Sequence, residues 1–365
     1  MKAFIRDAVV AVTAVSAALA LTACGPNTAT GPGRDNADDA PTIAVLLPDA
    51  ITARWETQDG PLLEEKIKKL CEECTVEHAN AKGEVALQQQ QMDSMISKGV
   101  DAILLVAVDG RSLAASVRKA DEAGIPVIAY DRLAGGPIAG HVSFDGEQVG
   151  RLQGTSLLQG MASRAPDDQI VMMNGDPSDP NAALFKKGAL SVLTGRVKIG
   201  KSYDTHQWRA EVAHMNMTGA IAALGAGNID GVYAANDSLA AGSISALRAN
   251  KVAPIPPVTG QDAELAAVRR IVAGRQYMTV YKPFAPEAAS GAALAVAAAR
   301  GENLGKVAED TVTARDGTKI AAVMLTPLAV TADNIKDTLV KDGVYTVRQI
   351  CAPGLWAACG KAGLT

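Results

Sequence analysis

From Pro41 onward, short apolar runs alternate with segments of helical period, and this alternation confines the chain to parallel βαβ units. The runs are Ile43 to Leu47, Thr75 to Ala79, Ala102 to Ala107, Val127 to Tyr130, His141 to Phe144, Gln169 to Met173, Lys198 to Tyr203, Gly231 to Ala235, Pro257 to Gly260 and Tyr277 to Tyr281. Helical patterns lie between them. In Glu84 to Lys98, for example, Val85, Gln89, Met92 and Ile96 share one face, with Met95 beside them. Ten strands overfill one open sheet, and 365 residues at 48% hydrophobic content can bury more than one core. The expected fold is therefore α/β, with two doubly wound parallel-sheet lobes.

Sheets of this kind bind ligands in the crevice at the carboxyl ends of their strands, so the residues after each run are the candidates. They are Arg54 and Trp55, Asp109, Asp131 and Arg132, Asp145, Asn174, Asp179 and Asn181, Trp208, Asn236 and Asp237, Gln261 and Asp262, and Lys282. Chance polar loops would supply Ser, Lys and Glu as often as this bidentate hydrogen-bonding set. Carboxylates accept from hydroxyls, Arg and Lys donate to them, and Asn does both, while indole faces cover weakly apolar C–H surface. The set suits a neutral polyhydroxylated ring, each hydrogen bond to a charged side chain contributing about 1.5–3 kcal/mol. Structural roles stay open beside the binding ones: Asn236 in a turn, Asp237 as a helix cap, Arg132 in an ion pair across the cleft.

Gly260 to Pro283 brackets one helix and one strand between Gln261-Asp262 and Lys282. Leu265, Val268, Ile271 and Val272 form the helix's apolar face, and Gly274 ends it. Asp262 at the start can cap that helix or accept hydrogen bonds from a ligand.

A net charge of −4 with both signs spread along the chain indicates neither a nucleic-acid footprint nor a polybasic membrane patch. No G-x-G-x-x-G follows the first run, no P-loop lysine motif occurs, and no Ser, Cys or His stands in a recognisable catalytic arrangement. His78, His141, His206 and His214 lack metal-ligand spacing. An enzyme is thus not expected, nor a metal or other cofactor.

Lys2 and Arg6 precede an apolar run from Ala8 to Ala23 that is too short for a membrane span, so residues 1–23 read as a signal peptide. Gly25 to Pro41, rich in Gly, Pro, Asn and Asp, reads as a flexible tether spanning about 20 Å. The remaining cysteines fall in two close pairs, Cys71 with Cys74 and Cys351 with Cys359, which predicts two local disulfides in an oxidising compartment.

Leu21-Thr22-Ala23-Cys24 is similar to the lipobox of bacterial lipoproteins, which implies lipidation of Cys24 and an anchor on the outer face of the cell membrane. From Thr42 to Val344 the chain resembles the type I periplasmic sugar-binding proteins of bacterial ABC importers, in the xylose-binding and multiple-monosaccharide-binding branch. The resemblance runs through ARW at Ala53 to Trp55, AYDR at Ala129 to Arg132, SFD at Ser143 to Asp145, DPNA at Asp179 to Ala182, Trp208, AAND at Ala234 to Asp237, TGQDA at Thr259 to Ala263 and VYKP at Val280 to Pro283. It implies that Arg54, Asp131, Arg132, Asp179, Asn181, Asn236, Asp262 and Lys282 bind sugar hydroxyls while Trp55 and Trp208 stack on the ring. Pro180 and Gly146 depart from the family pattern, where Asn is usual.

The resemblance further implies a three-segment hinge near Phe144 to Gln148, Met278 to Lys282 and Gly305 to Ala321. One lobe would combine 42–146 with 281–306 and the other 147–280 with 307–349, leaving 350–365 as a tail without a functional reading. The implied protein is a monomer that captures a monosaccharide, D-xylose favoured, and delivers it to a permease and its ATPase. A broad-specificity aldose-binding protein that also serves chemosensing is the alternative. Transcriptional regulators share this architecture, but the export signal argues against one.

Overall fold

The computed structural model describes residues 40–162, 168–314 and 316–365. The expected signal peptide, Cys24 and the tether as far as residue 39 lie outside the described residues.

The first half of the chain alternates strand and helix: β1 (Thr42–Leu47), α1 (Gly60–Leu70), β2 (Thr75–Asn80), α2 (Val85–Lys98), β3 (Ala102–Leu105), α3 (Ala114–Glu122), β4 (Val127–Tyr130) and β5 (Gly140–Phe144). The second half continues with α4 (Gly146–Met161), β6 (Gln169–Asn174), α5 (Pro180–Leu193), β7 (Lys198–Asp204), α6 (Ala210–Leu224), β8 (Gly231–Ala234), α7 (Asp237–Ala249), α8 (Leu265–Val272) and β9 (Thr279–Tyr281). It closes with α9 (Phe284–Ala299), β10 (Asp310–Thr313), β11 (Lys319–Leu325), β12 (Leu328–Val330), α10 (Val347–Ile350) and α11 (Trp356–Lys361).

Two lobes result. The first is a seven-stranded sheet in the order β10-β11-β5-β4-β3-β1-β2, parallel except for β10. The second is built on the parallel sheet β7-β6-β8, with Val258 bridged to β8 and β9 paired antiparallel to β12. Central strands β3, β4, β5, β6 and β8 are buried along their whole length, which is why β3, β4, β8 and the middle of β6 read as continuous apolar runs, while β5 buries His141 and Ser143. Edge strands β2 and β7 carry polar and lysine side chains that face solvent.

Three features differ from the expectation. The segment from Asp310 to Leu325 belongs to the first sheet, not the second lobe: β11 adds to the open edge of β5 in register from Ala321 opposite Gly140 to Leu325 opposite Phe144. Its buried Ile320 and Ala322 supply the driving force. The chain therefore passes between sheets at Phe144–Gly146, at Tyr281–Phe284 and at Leu325–Leu328, so the third passage lies beyond the expected Gly305 to Ala321. On α2, Gln88 and not Gln89 faces inward, its amide donating to the Val106 carbonyl (2.8 Å) and accepting from the Val108 N–H (2.7 Å). The tail is no appendage, because Ile350, Cys351, Cys359 and Leu364 share a core with Val268 and Ile271 of α8 and with Tyr281 and Phe284 at the second passage. Disulfides join Cys71 to Cys74 and Cys351 to Cys359.

One helix contact fixes the entrance to the second lobe. Helices α4 and α5 cross at Gly150 and Gly188, where a Cβ on Gly150 would overlap the Phe185 carbonyl and one on Gly188 the Glu147 carbonyl. Only glycine lets the backbones approach this closely.

Candidate functional site

Strand ends and helix starts from both lobes meet at one point. Asp131 follows β4 in the left-handed region (φ 57°), a conformation that short polar side chains tolerate. Asp179 caps α5 by accepting from the Asn181 N–H (2.9 Å), and Asn236 caps α7 by accepting from the Leu239 N–H (3.0 Å). The cap of α7 is thus Asn236. Asp237, expected in that role, is instead buried and accepts from the Glu264 N–H (2.9 Å), the Thr279 hydroxyl (3.0 Å) and the Gln276 amide (2.7 Å). It thereby anchors the loop that carries Gln261 and Asp262, and Gly260 is required there because a Cβ would overlap its Oδ1. Nor does Asp262 cap α8: the N-cap position belongs to Glu264, and Asp262 turns toward the cleft with φ 91°. Trp208, also left-handed, lays its indole where any side chain on Gly175 would strike it.

Nine of the ten residues expected from the sequence line a single cavity: Trp55, Asp131, Arg132, Asp179, Asn181, Trp208, Asn236, Asp262 and Lys282. Thr52, Phe185 and Gln261 complete its wall. Those three had weak sequence signals, although Gln261 stood beside Asp262 at a strand end. The cavity measures about 20 Å³, room for roughly one water, because the walls have closed on one another. Larger depressions of about 650 and 660 Å³ lie elsewhere, but neither gathers this chemistry.

Polar pairs hold the lobes together across the cleft. Asn181 of α5 donates to Asp131 Oδ1 at 2.9 Å, and Arg132 Nε lies 2.7 Å from Asp179 Oδ2 without aiming its N–H at that oxygen. Lys282 donates to Asp131 Oδ2 at 2.7 Å and stands 3.7 Å from Asp262. Arg54 occupies the layer behind this wall. Its guanidinium grips Asp59 through Nε (2.7 Å) and Nη2 (2.6 Å), donates to Glu287 (2.5 Å) and Asp131 (3.3 Å), and stacks 4.6 Å from the Trp55 ring. Asp59 and Glu287 escaped the sequence reading. The available signal was that Glu287 is the single charged residue of α9.

Arg54 and Lys282 face four carboxylates, those of Asp59, Asp131, Asp262 and Glu287, and Asp131, Asp262 and Glu287 do not ionise alike. Burial favours the neutral form of Asp131, yet Lys282 and Arg54 outweigh it and hold this carboxyl well below the usual range. For Asp262 burial prevails over the same two cations and raises it. Burial pushes Glu287 up to about 8 against the pull of Arg54, with Asp131 and Asp59 adding to the rise. A carboxyl raised on folding binds its proton more tightly in the native state, so the contribution of Glu287 to native stability declines as pH rises from about 4.5 through about 8. Glu287→Gln, which keeps the shape and removes the titration, is expected to flatten that decline. Thermal unfolding of both proteins between pH 5 and 9 checks it, and parallel curves would remove Glu287 as the cause.

No group of three or more His, Cys, Asp or Glu among the described residues is arranged to hold a metal ion. What the site offers is hydrogen bonding from fixed amides, carboxylates and cations beside two indoles.

The sequence profile of the periplasmic binding protein domain matches residues 43–303. The chain belongs to that family. A D-xylose-binding periplasmic protein of Haemophilus influenzae is 35% identical over 84% of this chain and 91% of its own length. The multiple sugar-binding periplasmic protein SbpA of Azospirillum brasilense is 31% identical over 88% and 94%. Among solved structures, an ABC transporter solute-binding protein of Clostridium phytofermentans with bound β-D-glucose superposes with a TM-score of 0.78 at 29% identity, over 85% of this chain and 99% of that one. This periplasmic binding protein thus groups with the xylose and multiple-sugar branch, as a binding protein and not an enzyme.

Proposed function

We propose that this periplasmic binding protein captures a monosaccharide, D-xylose by preference, between its lobes and presents it as a monomer to the permease and ATPase of an ABC importer. The observation that carries the reading is the convergence of nine strand-end and helix-start side chains, two of them indoles, on one cavity between the lobes. Carboxylates and amides meet the hydroxyls, Trp55 and Trp208 meet the C–H faces, and neither lobe alone completes the set. A ligand that contacts both lobes binds the closed state better than the open one, so it shifts the population toward closure. With only about 20 Å³ between the walls, the ligand enters by parting pairs such as Lys282–Asp131 and Asn181–Asp131. Cys24 is the proposed lipid attachment point, which incorporation of labelled palmitate in cells tests. A broad-specificity reading stands second, favoured by the multiple-sugar name of one relative and the glucose bound to another.

Calorimetric titration of the chain from residue 40 with xylose, glucose, galactose, arabinose and ribose separates the two. Tight binding of xylose alone supports the narrow reading, comparable binding of hexoses supports the broad one, and no binding of any sugar overturns both. Trp208→Ala and Asp262→Ala are each expected to weaken the bound sugar at least about tenfold, or about 1.4 kcal/mol, with the fold intact. Near-native affinity in either would remove that residue from the site.

A further inference from the structure

Gln261 lies between the anchored loop and the cavity, and its side-chain amide has one partnered end and one open end. Its backbone is held from both sides: the carbonyl accepts from the Asp237 N–H at 3.0 Å, and the residue bridges Val280 in parallel register. The side chain is 3% exposed and lines the cavity. Its Nε2 donates to Asp262 Oδ1 at 3.2 Å. With Asp262 ionised, turning the amide over would set oxygen against a carboxylate oxygen, so the carboxylate orients the donor toward itself and Oε1 away. That oxygen is buried and has no hydrogen-bond partner. A buried acceptor left without a partner costs about 1–3 kcal/mol, a cost a binding site recovers when a ligand supplies the missing donor.

Neighbouring acceptors on the same wall are already engaged. Asp131 takes Asn181 on one oxygen and Lys282 with Arg54 on the other, Asp179 takes the Asn181 N–H on one oxygen and stands in an ion pair with Arg132 on the other, and the Asn236 oxygen takes the Leu239 N–H. Gln261 Oε1 is therefore an acceptor that no protein group competes for. The cavity's two indole N–H groups, on Trp55 and Trp208, are likewise unpartnered, so the wall presents both kinds of unmet demand. A hydroxyl, donor and acceptor at once, is the group that answers them.

We propose that Gln261 is a ligand-contacting, specificity-determining residue whose amide oxygen accepts a hydrogen bond from one ring hydroxyl of the captured sugar. The inference rests on the sugar-binding reading above. Because the acceptor is neutral, it adds little to attraction for charged ligands and much to discrimination, since a site built to bond a hydroxyl rejects the analogue that lacks it.

The test is calorimetry of wild-type protein, Gln261→Ala and the near-isosteric Gln261→Met with the best-bound sugar and its series of monodeoxy analogues. Both variants are expected to bind the parent sugar about tenfold more weakly, as loss of one hydrogen bond predicts. For one deoxy analogue, wild type and variants are expected to bind equally, which identifies the hydroxyl. Wild-type affinity for the parent in Gln261→Met overturns the proposal. So does a loss of the same size across every deoxy analogue, which would make Gln261 a support for Asp262 only. If the wild type binds no sugar, the underlying reading fails, an outcome distinct from either of these.

Discussion

Asp131→Asn is expected to fold, to lose about 3 kcal/mol of stability at neutral pH, and to bind sugar at least about a hundredfold more weakly. Asparagine keeps the shape and tolerates the left-handed backbone at this position, so the substitution isolates the charge. The carboxylate takes Lys282 at 2.7 Å and Arg54 at 3.3 Å, all three side chains being almost fully buried. Arg54 retains the Asp59 ion pair and its hydrogen bond to Glu287, which places the expected loss at the lower end of the range for a broken buried pair. Lys282 is left with Asp262, 3.7 Å away and itself shifted toward the neutral form by burial. The pH dependence has a definite sign. A carboxyl lowered on folding contributes its full stability above the ordinary aspartate range and loses it as pH falls through the folded value, so the gap between wild type and Asp131→Asn should close in acid. Urea unfolding at pH 7 and pH 3 is expected to show the gap narrowed, but not closed, at the lower pH. Equal stability at pH 7 would mean that desolvation cancels the ion pairs.

Gly188→Ala is the second large effect, and it acts at a distance. The added methyl would overlap the Glu147 carbonyl oxygen and lie 2.8 Å from its carbon and 3.0 Å from the Arg151 nitrogen, all backbone atoms of α4 that cannot rotate aside. Overpacking of this kind costs about 1–3 kcal/mol, and the upper end applies where no side chain can give way. The same displacement moves α5, whose first turn carries Asn181 and whose cap is Asp179, so affinity is expected to fall with stability. Gly219→Ala is the control: it lies within α6 with nothing within 4 Å of its Cβ position, and should gain about 0.5–1 kcal/mol. Thermal unfolding and sugar titration of both variants decide the matter. A Gly188→Ala protein as stable as wild type would show that the helices slide apart at no cost.

Much of the architecture was legible because parallel strands buried on both faces must be apolar throughout, and β3, β4, β6 and β8 stand out as unbroken runs. The positions of Asp131 and Asn236 were legible for the same reason, since each directly follows such a run. The last core was not. Strands β10 and β11 could have joined either sheet by composition, and the open edge of β5 decided between them. The tail resisted reading because its apolar residues are sparse, and their partners on α8 and at Phe284 lie more than sixty residues earlier in the chain.

By itself the sequence determined the two-lobe α/β plan and the cysteine pairs through local periodicity and spacing, while strand ends offered a longer list of candidates from which the family resemblance singled out nine of the residues that line the cavity. Tertiary structure alone decided which layer each charge occupies. Arg54 reads like the other strand-end residues, yet it sits behind the wall because Asp59 and Glu287, five and 233 residues away, pull its guanidinium inward. Asp237 and Asp262 read like helix caps, yet one anchors the loop from below and the other faces the cavity. Such assignments depend on which charges meet in a low-dielectric interior, where pairing and burial compete over a few ångströms, and no pattern along the chain encodes those distances.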